Sequence, residues 1–452
     1  MDLIAAIATG STATAIGIVR VSGDGCFAAC DRVFRPRNGV PFAQQSSHKM
    51  VFGEMLDISG ADIDQGLAVR FGGGHSYTGE DSAEFHCHGS PVVLHTLLSA
   101  LFAAGARQAQ AGEFTKRAFL NGKMDLTEAE AVIDLIDAQS AAAAKNAAAQ
   151  LDGGLRRRLE PVQEALIDVT SRFYAVVDYP DEDIADFRLA EYADALRTQA
   201  KALYNLLSTF SQGQILRQGI AAAIVGKPNV GKSSLLNRLA GFDRAIVTDI
   251  PGTTRDMVEE SVRVGSLRLR LMDTAGIRET SDTVEALGVE RSKETAQRAD
   301  LVLFVCDGSQ PLTEEDREAM DLALDAPNAI AFLNKADLGQ VVEPADLPFD
   351  WVLPICARDG SGLERLPEIL ETLFARSAPC DGSILTNPRQ YDAIRRAYEA
   401  MLSCMQGMKL GQTPDALLTD LEEAMAAMGE VTGATVREDI TARIFERFCV
   451  GK

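Results

Sequence analysis

The stretch GKPNVGKSS at 226–234 carries the spacing G-x-x-x-x-G-K-[ST]. Gly226 and Gly231 let backbone N–H groups wrap phosphate oxygens. Lys232 offsets charge at the β and γ positions, and Ser233 brings a hydroxyl to Mg²⁺ at the start of a helix whose dipole favours anions. Asn229, Val230 and Ser234 complete the loop. The apolar run 220–225 before it and LLNRLAG after it supply the strand and helix that this motif needs.

Three further stretches fit the same chemistry. NKAD (Asn334, Lys335, Asp337) follows the apolar run AIAFL, and an ionised Asp337 there accepts from both N1–H and the 2-amino group of guanine, so GTP is expected over ATP. DTAG places Asp273 to hold Mg²⁺ through water and Gly276 to present an N–H to the γ-phosphate, while TDIPGTTRD (248–256) offers Thr254 as a second hydroxyl ligand. Four nucleotide elements in this order read as a GTPase. Ile277 follows DTAG where Ras-like enzymes have a water-orienting Gln, so hydrolysis must borrow another group. Glu285, in RETSDTVEALGVE, is the candidate catalytic carboxylate, acting through a bridging water; its alternative is an ordinary exposed helix carboxylate. Asn229 is a candidate ligand for a monovalent cation standing where an arginine finger would.

These groups need elements to hold them. Residues 217–378 alternate apolar strands with helices, the rhythm of a parallel sheet covered on both faces. Residues 1–118 mix strands (AIGIVRVSG, DQGLAVRF) with a helix beginning near Pro91, an α+β unit. From 119 to 216, Leu155, Leu159, Val162, Leu166, Val169, Phe173 and Val176 recur at helical spacing; Pro161 implies either a kink or a new helix start. Helical texture returns over 379–452, so an α/β domain interrupts a helical one.

The 452 residues carry 65 acidic and 44 basic side chains, a net charge of −21, which repels a phosphate backbone over most of the surface. A nucleic-acid role therefore calls for a local basic patch or a basic partner. No apolar run is long enough for a membrane span, and a cytoplasmic protein is expected. The eight cysteines contain no C-x-x-C pair and read mostly as small core residues. The period-two strand spacing of His86 and His88 and the wide gap to His95 make core or surface histidines a better reading than a zinc site. Cys449 lies fourth from the end, but Gly451 and Lys452 after Val450 break the prenylation pattern.

Taken together, GKPNVGKS, TDIPGTTRD, DTAGIRE, NKAD, YTGED, GEFTKRAFLNGKMDLTEAEAVIDLI and FCVGK resemble the MnmE (TrmE) family of tRNA modification GTPases, over nearly the whole chain. The resemblance implies a multidomain α+β architecture. It has an N-terminal domain (1–118) that dimerises and binds a tetrahydrofolate derivative (5-formyl or 5,10-methylene), a discontinuous all-helical domain (119–216 and 379–452), and an inserted Ras-like α/β GTPase domain (217–378). It implies a homodimer working with the FAD-dependent partner MnmG, as a heterotetramer, to add an aminomethyl or carboxymethylaminomethyl group to C5 of the wobble uridine of certain tRNAs. It also implies K⁺-stimulated GTP hydrolysis, with Asn229 and the backbones of Thr248, Ile250 and Thr253 on the cation.

By motif, the resemblance assigns folate contacts to Arg20, Glu84, Lys123 and Lys452, and brings Cys449 near the one-carbon donor; whether the thiol reacts is left open. On composition alone Arg20 and Lys123 read as solvated charges. Two departures stand out. The guanine-supporting loop that commonly reads Ser-Ala-Lys or Ser-Ala-Arg is Cys356-Ala357-Arg358, with a weaker side-chain hydrogen bond at 356, and ATGSTATAIG lacks the family's usual proline. The rival reading is a ribosome-assembly or translation GTPase without base chemistry.

Overall fold

The structure is a computed structural model; it describes residues 1–10, 12–178, 189–241, 260–272, 294–374, 381–435, 444–445 and 448–451. Thr248, Ile250, Thr253, Thr254, Asp273, Gly276, Ile277, Glu285 and Lys452 lie outside the described residues. The chain divides into two compact units, Met1–Ile133 with Glu422–Lys452, and Asp134–Leu421. Among the described residues no helix is long and apolar enough to cross a membrane.

In the first unit the strands are β1 (Ile4–Ile7), β2 (Thr14–Ser22), β3 (Phe34–Pro36), β4 (Val51–Leu56), β5 (Asp62–Phe71), β6 (Ser82–Gly89) and β7 (Arg107–Gln108). They form one sheet in the order β3-β4-β5-β6-β2-β1-β7, antiparallel except for the β1/β7 pair. Strand alternation sorts the side chains by face. Val19, Val21, Ala83, Phe85 and Cys87 point into a core closed by α1 (Cys26–Val33) and α2 (Pro91–Ala103). There Phe34, Phe42 and Phe85 meet with ring centroids 5.7 to 6.0 Å apart. Pro91 sits in the first turn of α2, where its missing N–H costs nothing. On the other face Ile4 and Ala6 pack with Ala109 and with Phe114 of α3 (Glu113–Leu120).

Downstream run α4 (Leu126–Ile136), α5 (Ala141–Leu151), α6 (Gly154–Asp178), α7 (Leu189–Leu207) and α8 (Phe210–Gln218). The stripe Leu155, Leu159, Val162, Leu166, Val169 and Phe173 is buried, and each such side chain contributes about 2 kcal/mol. α6 runs through Pro161 as one helix of 25 residues, so no new helix starts there. The loss of one backbone hydrogen bond at Pro161 is outweighed by an apolar face several turns long.

The second sheet contains β8 (Ile220–Val225), β9 (Glu260–Val264), β10 (Leu267–Leu271), β11 (Leu301–Asp307), β12 (Ala329–Asn334) and β13 (Val352–Pro354). Its order is β13-β12-β11-β8-β10-β9, parallel except for β9. β8 and β11 are buried throughout, as strands covered on both faces must be. One face packs α9 (Lys232–Gly241), the other α10 (Glu314–Leu324); α11 (Leu366–Phe374) lies with α9. The chain then returns to helix in α12 (Pro388–Leu410) and α13 (Pro414–Thr432). Phe210 stacks on Tyr391 at 4.2 Å and Tyr204 meets Tyr398 at 6.0 Å, so helices from before and after the α/β segment pack on each other.

Candidate functional sites

β8 ends at Val225, the loop 226–231 turns, and α9 starts at Lys232, the strand–loop–helix context the spacing requires. Gly231 has φ +103° and a Cβ there would collide with the Asn334 amide, so only glycine fits. Asn229 holds the left-handed conformation at φ +63°. Lys232 Nζ folds onto the loop's own carbonyls, reaching Lys227 O at 2.8 Å and Gly226 O, and burial lowers its pKa. Ser233 is half-buried and Ser234 exposed at the helix start.

Asn334 ties two loops together. Its amide donates to Val230 O at 2.7 Å, and its carbonyl accepts from the Ala357 N–H at 2.9 Å, while the residue is 3% exposed. Lys335, at φ +64°, reaches Asp307 Oδ2 at 2.7 Å. Burial would raise the Asp307 carboxyl, but Lys335 and Ser309 outweigh it and hold it below the usual range. Asp337 stands exposed in the short turn Ala336–Leu338. Cys356 is buried, with its N–H bonded to Ser361 O at 2.9 Å; Ser361 and the Cys356 thiol together lower the Asp359 carboxyl. Arg358 is exposed.

Two groups here were missed in the sequence. Lys227, inside the loop, pairs with Asp316 at 2.7 Å, and Asp307 closes β11 beneath Lys335. The T-x-x-D spacing of Thr313 and Asp316, a capping box on α10, was the available signal.

The second site lies in the first unit. Arg20 and Glu84 are direct partners in the β2/β6 register, and their side chains join at 2.8 to 2.9 Å, each 19% exposed. The guanidinium carbon lies 5.5 Å from the Tyr77 ring centre and 5.6 Å from that of Phe114, and Arg20 also donates to Gly451 O at 3.5 Å. His86 Nε2 is 3.5 Å from the other Glu84 oxygen. Tyr77 OH meets Thr115 Oγ1 at 2.9 Å, and burial raises its phenol. A carboxylate beside two aromatic faces and a guanidinium suits a flat heterocycle with an amide and amine edge, so these residues fit a pterin.

The chain end is fastened beside them. Val450 bridges to Ala111, Gly112 N–H donates to Cys449 O at 3.3 Å, and Gly451, at φ +101°, lies against the Ile7 carbonyl too closely for a Cβ. Cys449 is exposed. Lys123 donates to Gly74 O at 2.8 Å, and its stem lies against Gly79 of the loop that carries Tyr77, so it meets Arg20 and Glu84 only through that loop.

A buried ion network supports the loop. Arg117, its side chain 4% exposed, bonds Glu80 at 3.0 Å, Glu113 at 2.9 Å and Asp2 at 2.7 Å. Burial would raise the Glu113 carboxyl, but Arg107, the Gln110 N–H and Arg117 bring it down to about 2. His88 contacts Asp64 at 2.8 Å, and Cys87 between the two strand histidines is buried, its thiol pushed up to about 11. His86 and His88 are strand residues, as expected.

Family models match on both sides of this architecture: "GTP-binding protein TrmE N-terminus" over residues 3–123 and "MnmE helical domain" over 126–449. The tRNA modification GTPase MnmE of Streptococcus sanguinis is 40% identical over 456 residues, covering 100% of this chain and 99% of the relative. That of Roseiflexus castenholzii is 41% identical over 470 residues, with the same coverage. Among solved structures, Era in complex with MgGDPNP and nucleotides 1506–1542 of 16S ribosomal RNA is 29% identical, covering 40% of this chain and 66% of that one at a TM-score of 0.27. With both family models matched and relatives aligned along its whole length, the chain belongs to the MnmE family of tRNA modification GTPases and is a GTP hydrolase acting in tRNA modification.

Proposed function

We propose that this GTPase works with an MnmG-type, FAD-dependent partner to install an aminomethyl or carboxymethylaminomethyl group at C5 of wobble uridine, drawing the one-carbon unit from a tetrahydrofolate derivative. The observation that carries the folate part is Arg20 and Glu84 paired between Tyr77 and Phe114, with the chain end at Gly451 reaching the same guanidinium. Arg20, Glu84, Lys123 and Lys452 would hold the folate, which supplies the carbon when bound. In the nucleotide site Ser233 and Thr254 would hold Mg²⁺, Asn229 with the Thr248, Ile250 and Thr253 backbones K⁺, and Glu285 would orient water. Asp273 and Gly276 serve the metal and γ-phosphate, and the 356–358 loop the base.

The domain assignment is 1–118, 119–216 with 379–452, and 217–378. A homodimer is supported by the outer sheet face of the first unit, where Phe52, Leu67, His86 and Ile18 are successive register partners and Phe52 and Leu67 are exposed. The net charge of −21 supports tRNA contact chiefly through a basic partner; the same reading puts the protein in the cytoplasm.

The deciding experiment is mass spectrometry of wobble nucleosides from cells lacking this gene. Loss of the C5 aminomethyl-type groups, restored by the intact gene, upholds the reading; unchanged nucleosides would favour the assembly-GTPase alternative. For the cation, turnover should be higher in KCl than in NaCl at equal ionic strength, with the difference lost in Asn229→Ala. Equal rates in both salts for the parent protein would rule out K⁺ stimulation.

A further inference from the structure

Within a loop built to receive phosphate, one cation faces the other way. Lys227 stands between Gly226 and Pro228, yet its side chain is 15% exposed and its ammonium lies 2.7 Å from Asp316 Oδ2 and 3.2 Å from Thr313 Oγ1. Asp316 is the acidic member of the capping box that starts α10, and its side chain is 3% exposed. Among the described residues, every hydrogen bond it accepts falls on one oxygen: Lys227, the Thr313 N–H at 2.9 Å and the Thr313 hydroxyl at 2.7 Å all meet Oδ2. The other oxygen, Oδ1, is buried without a hydrogen-bond partner among the described residues.

A carboxylate so lopsided keeps much of its charge unquenched by dipoles and depends on its one cation. Burial opposes that charge, and Lys227 with Thr313 overcomes it, holding Asp316 below the ordinary range. Nearby, Asp307 is already taken by Lys335, and burial followed by Asp316 and Asp307 pushes the Cys306 thiol up to about 12, leaving it neutral. Lys227 also carries the carbonyl that Lys232 Nζ contacts at 2.8 Å, so its backbone is part of the loop's inner surface while its side chain faces away.

We propose that Lys227 is a positioning residue of the GTP site that acts through Asp316: it neutralises the buried capping carboxylate of α10 behind the phosphate loop and ties the loop's first turn to that helix, without touching phosphate. This rests on the GTP-binding reading of the loop. Without Lys227, an uncompensated buried anion stands behind a site for a polyanion, where low dielectric makes repulsion strong. Without Asp316, the freed ammonium adds positive charge and does no such harm. The two partners of one ion pair should therefore have unequal effects on nucleotide affinity.

The test is titration of the full chain with a fluorescent GDP analogue, with thermal melting alongside. Lys227→Met should weaken binding about tenfold, Lys227→Arg should stay within about twofold of the parent, and Asp316→Asn within about threefold. The double variant Lys227→Met with Asp316→Asn should recover to within about threefold, since the anion is gone. A double variant as weak as Lys227→Met would overturn the proposal and assign Lys227 a direct phosphate contact. Should Lys227→Met fail to fold, the double variant against the parent decides by the same criterion. No binding by the parent would instead remove the nucleotide reading itself.

Discussion

The two sites of this molecule are built on opposite plans. The candidate nucleotide loop is a contiguous run, 226–234, whose motif suits backbone contact with an anion, and distant residues such as Asn334 and Asp316 brace it. The Arg20 site is a convergence of side chains from β2, the 77–84 region and α3 with a backbone carbonyl of the chain end, with little contributed by any one stretch. A phosphate can be recognised by local turn geometry because N–H groups of successive residues suffice. A heterocycle edge needs a cation, a carboxylate and aromatic faces at fixed separations, which only a sheet register and docked helices can set.

Separating the sites by mutation tests this contrast, and the largest effect belongs to the loop. Lys232→Ala should lower GTP turnover by roughly 100-fold or more, the scale of losing one preorganised charge-stabilising group, while formyl-tetrahydrofolate binding stays unchanged. A parallel loss of folate binding in calorimetry would show that the two plans are not independent. Next, Glu84→Ala should weaken folate binding about 10- to 100-fold, as expected for a charge-assisted hydrogen bond, and leave Arg20 uncompensated while GTP turnover is preserved.

A smaller effect sharpens the comparison through pH. The Glu113 carboxyl sits at about 2 against an ordinary 4.5, so its ion pairs stabilise the folded chain fully above the unfolded value. That contribution fades as pH falls from 4.5 towards 2. Glu113→Gln should therefore be less stable at neutral pH and show a shallower loss across that acid window in thermal melts; an unchanged slope would remove Glu113 from the ion network's role. Smallest of all, Cys449→Ser should leave folate affinity within about twofold, since the contact at Arg20 comes from the Gly451 carbonyl and not the exposed thiol. A large affinity loss would instead make the thiol a binding group.

How much was legible beforehand differs between the sites for the same reason. The phosphate loop, NKAD and the strands around them could be read directly, because spacing within a few residues dictates the turn. Arg20 and Lys123 looked like solvated charges on composition, and only resemblance marked them; cross-strand partnership of residues 20 and 84 is invisible to any local pattern. Pro161 is instructive in the other direction. Local propensity argued for an interruption, yet the buried stripe from Leu155 to Phe173 carried one helix through it, tertiary packing overriding a penalty of about 3 kcal/mol. The Cys356 thiol, expected to give a weaker hydrogen bond than the usual serine, is buried in its loop.

What the amino-acid sequence determined by itself was the pattern of short runs: the glycine-bounded loop, the NKAD turn, the alternation of strands and helices, and the family. Tertiary structure alone decided which distant groups share a charge balance. Glu84 with Arg20, Arg117 with Asp2 and Glu80, and Lys227 on Asp316 are pairings across 64, 115, 37 and 89 residues. Charges buried away from water must be matched within a few ångströms, and the neighbours that satisfy that demand exist only once the chain has folded.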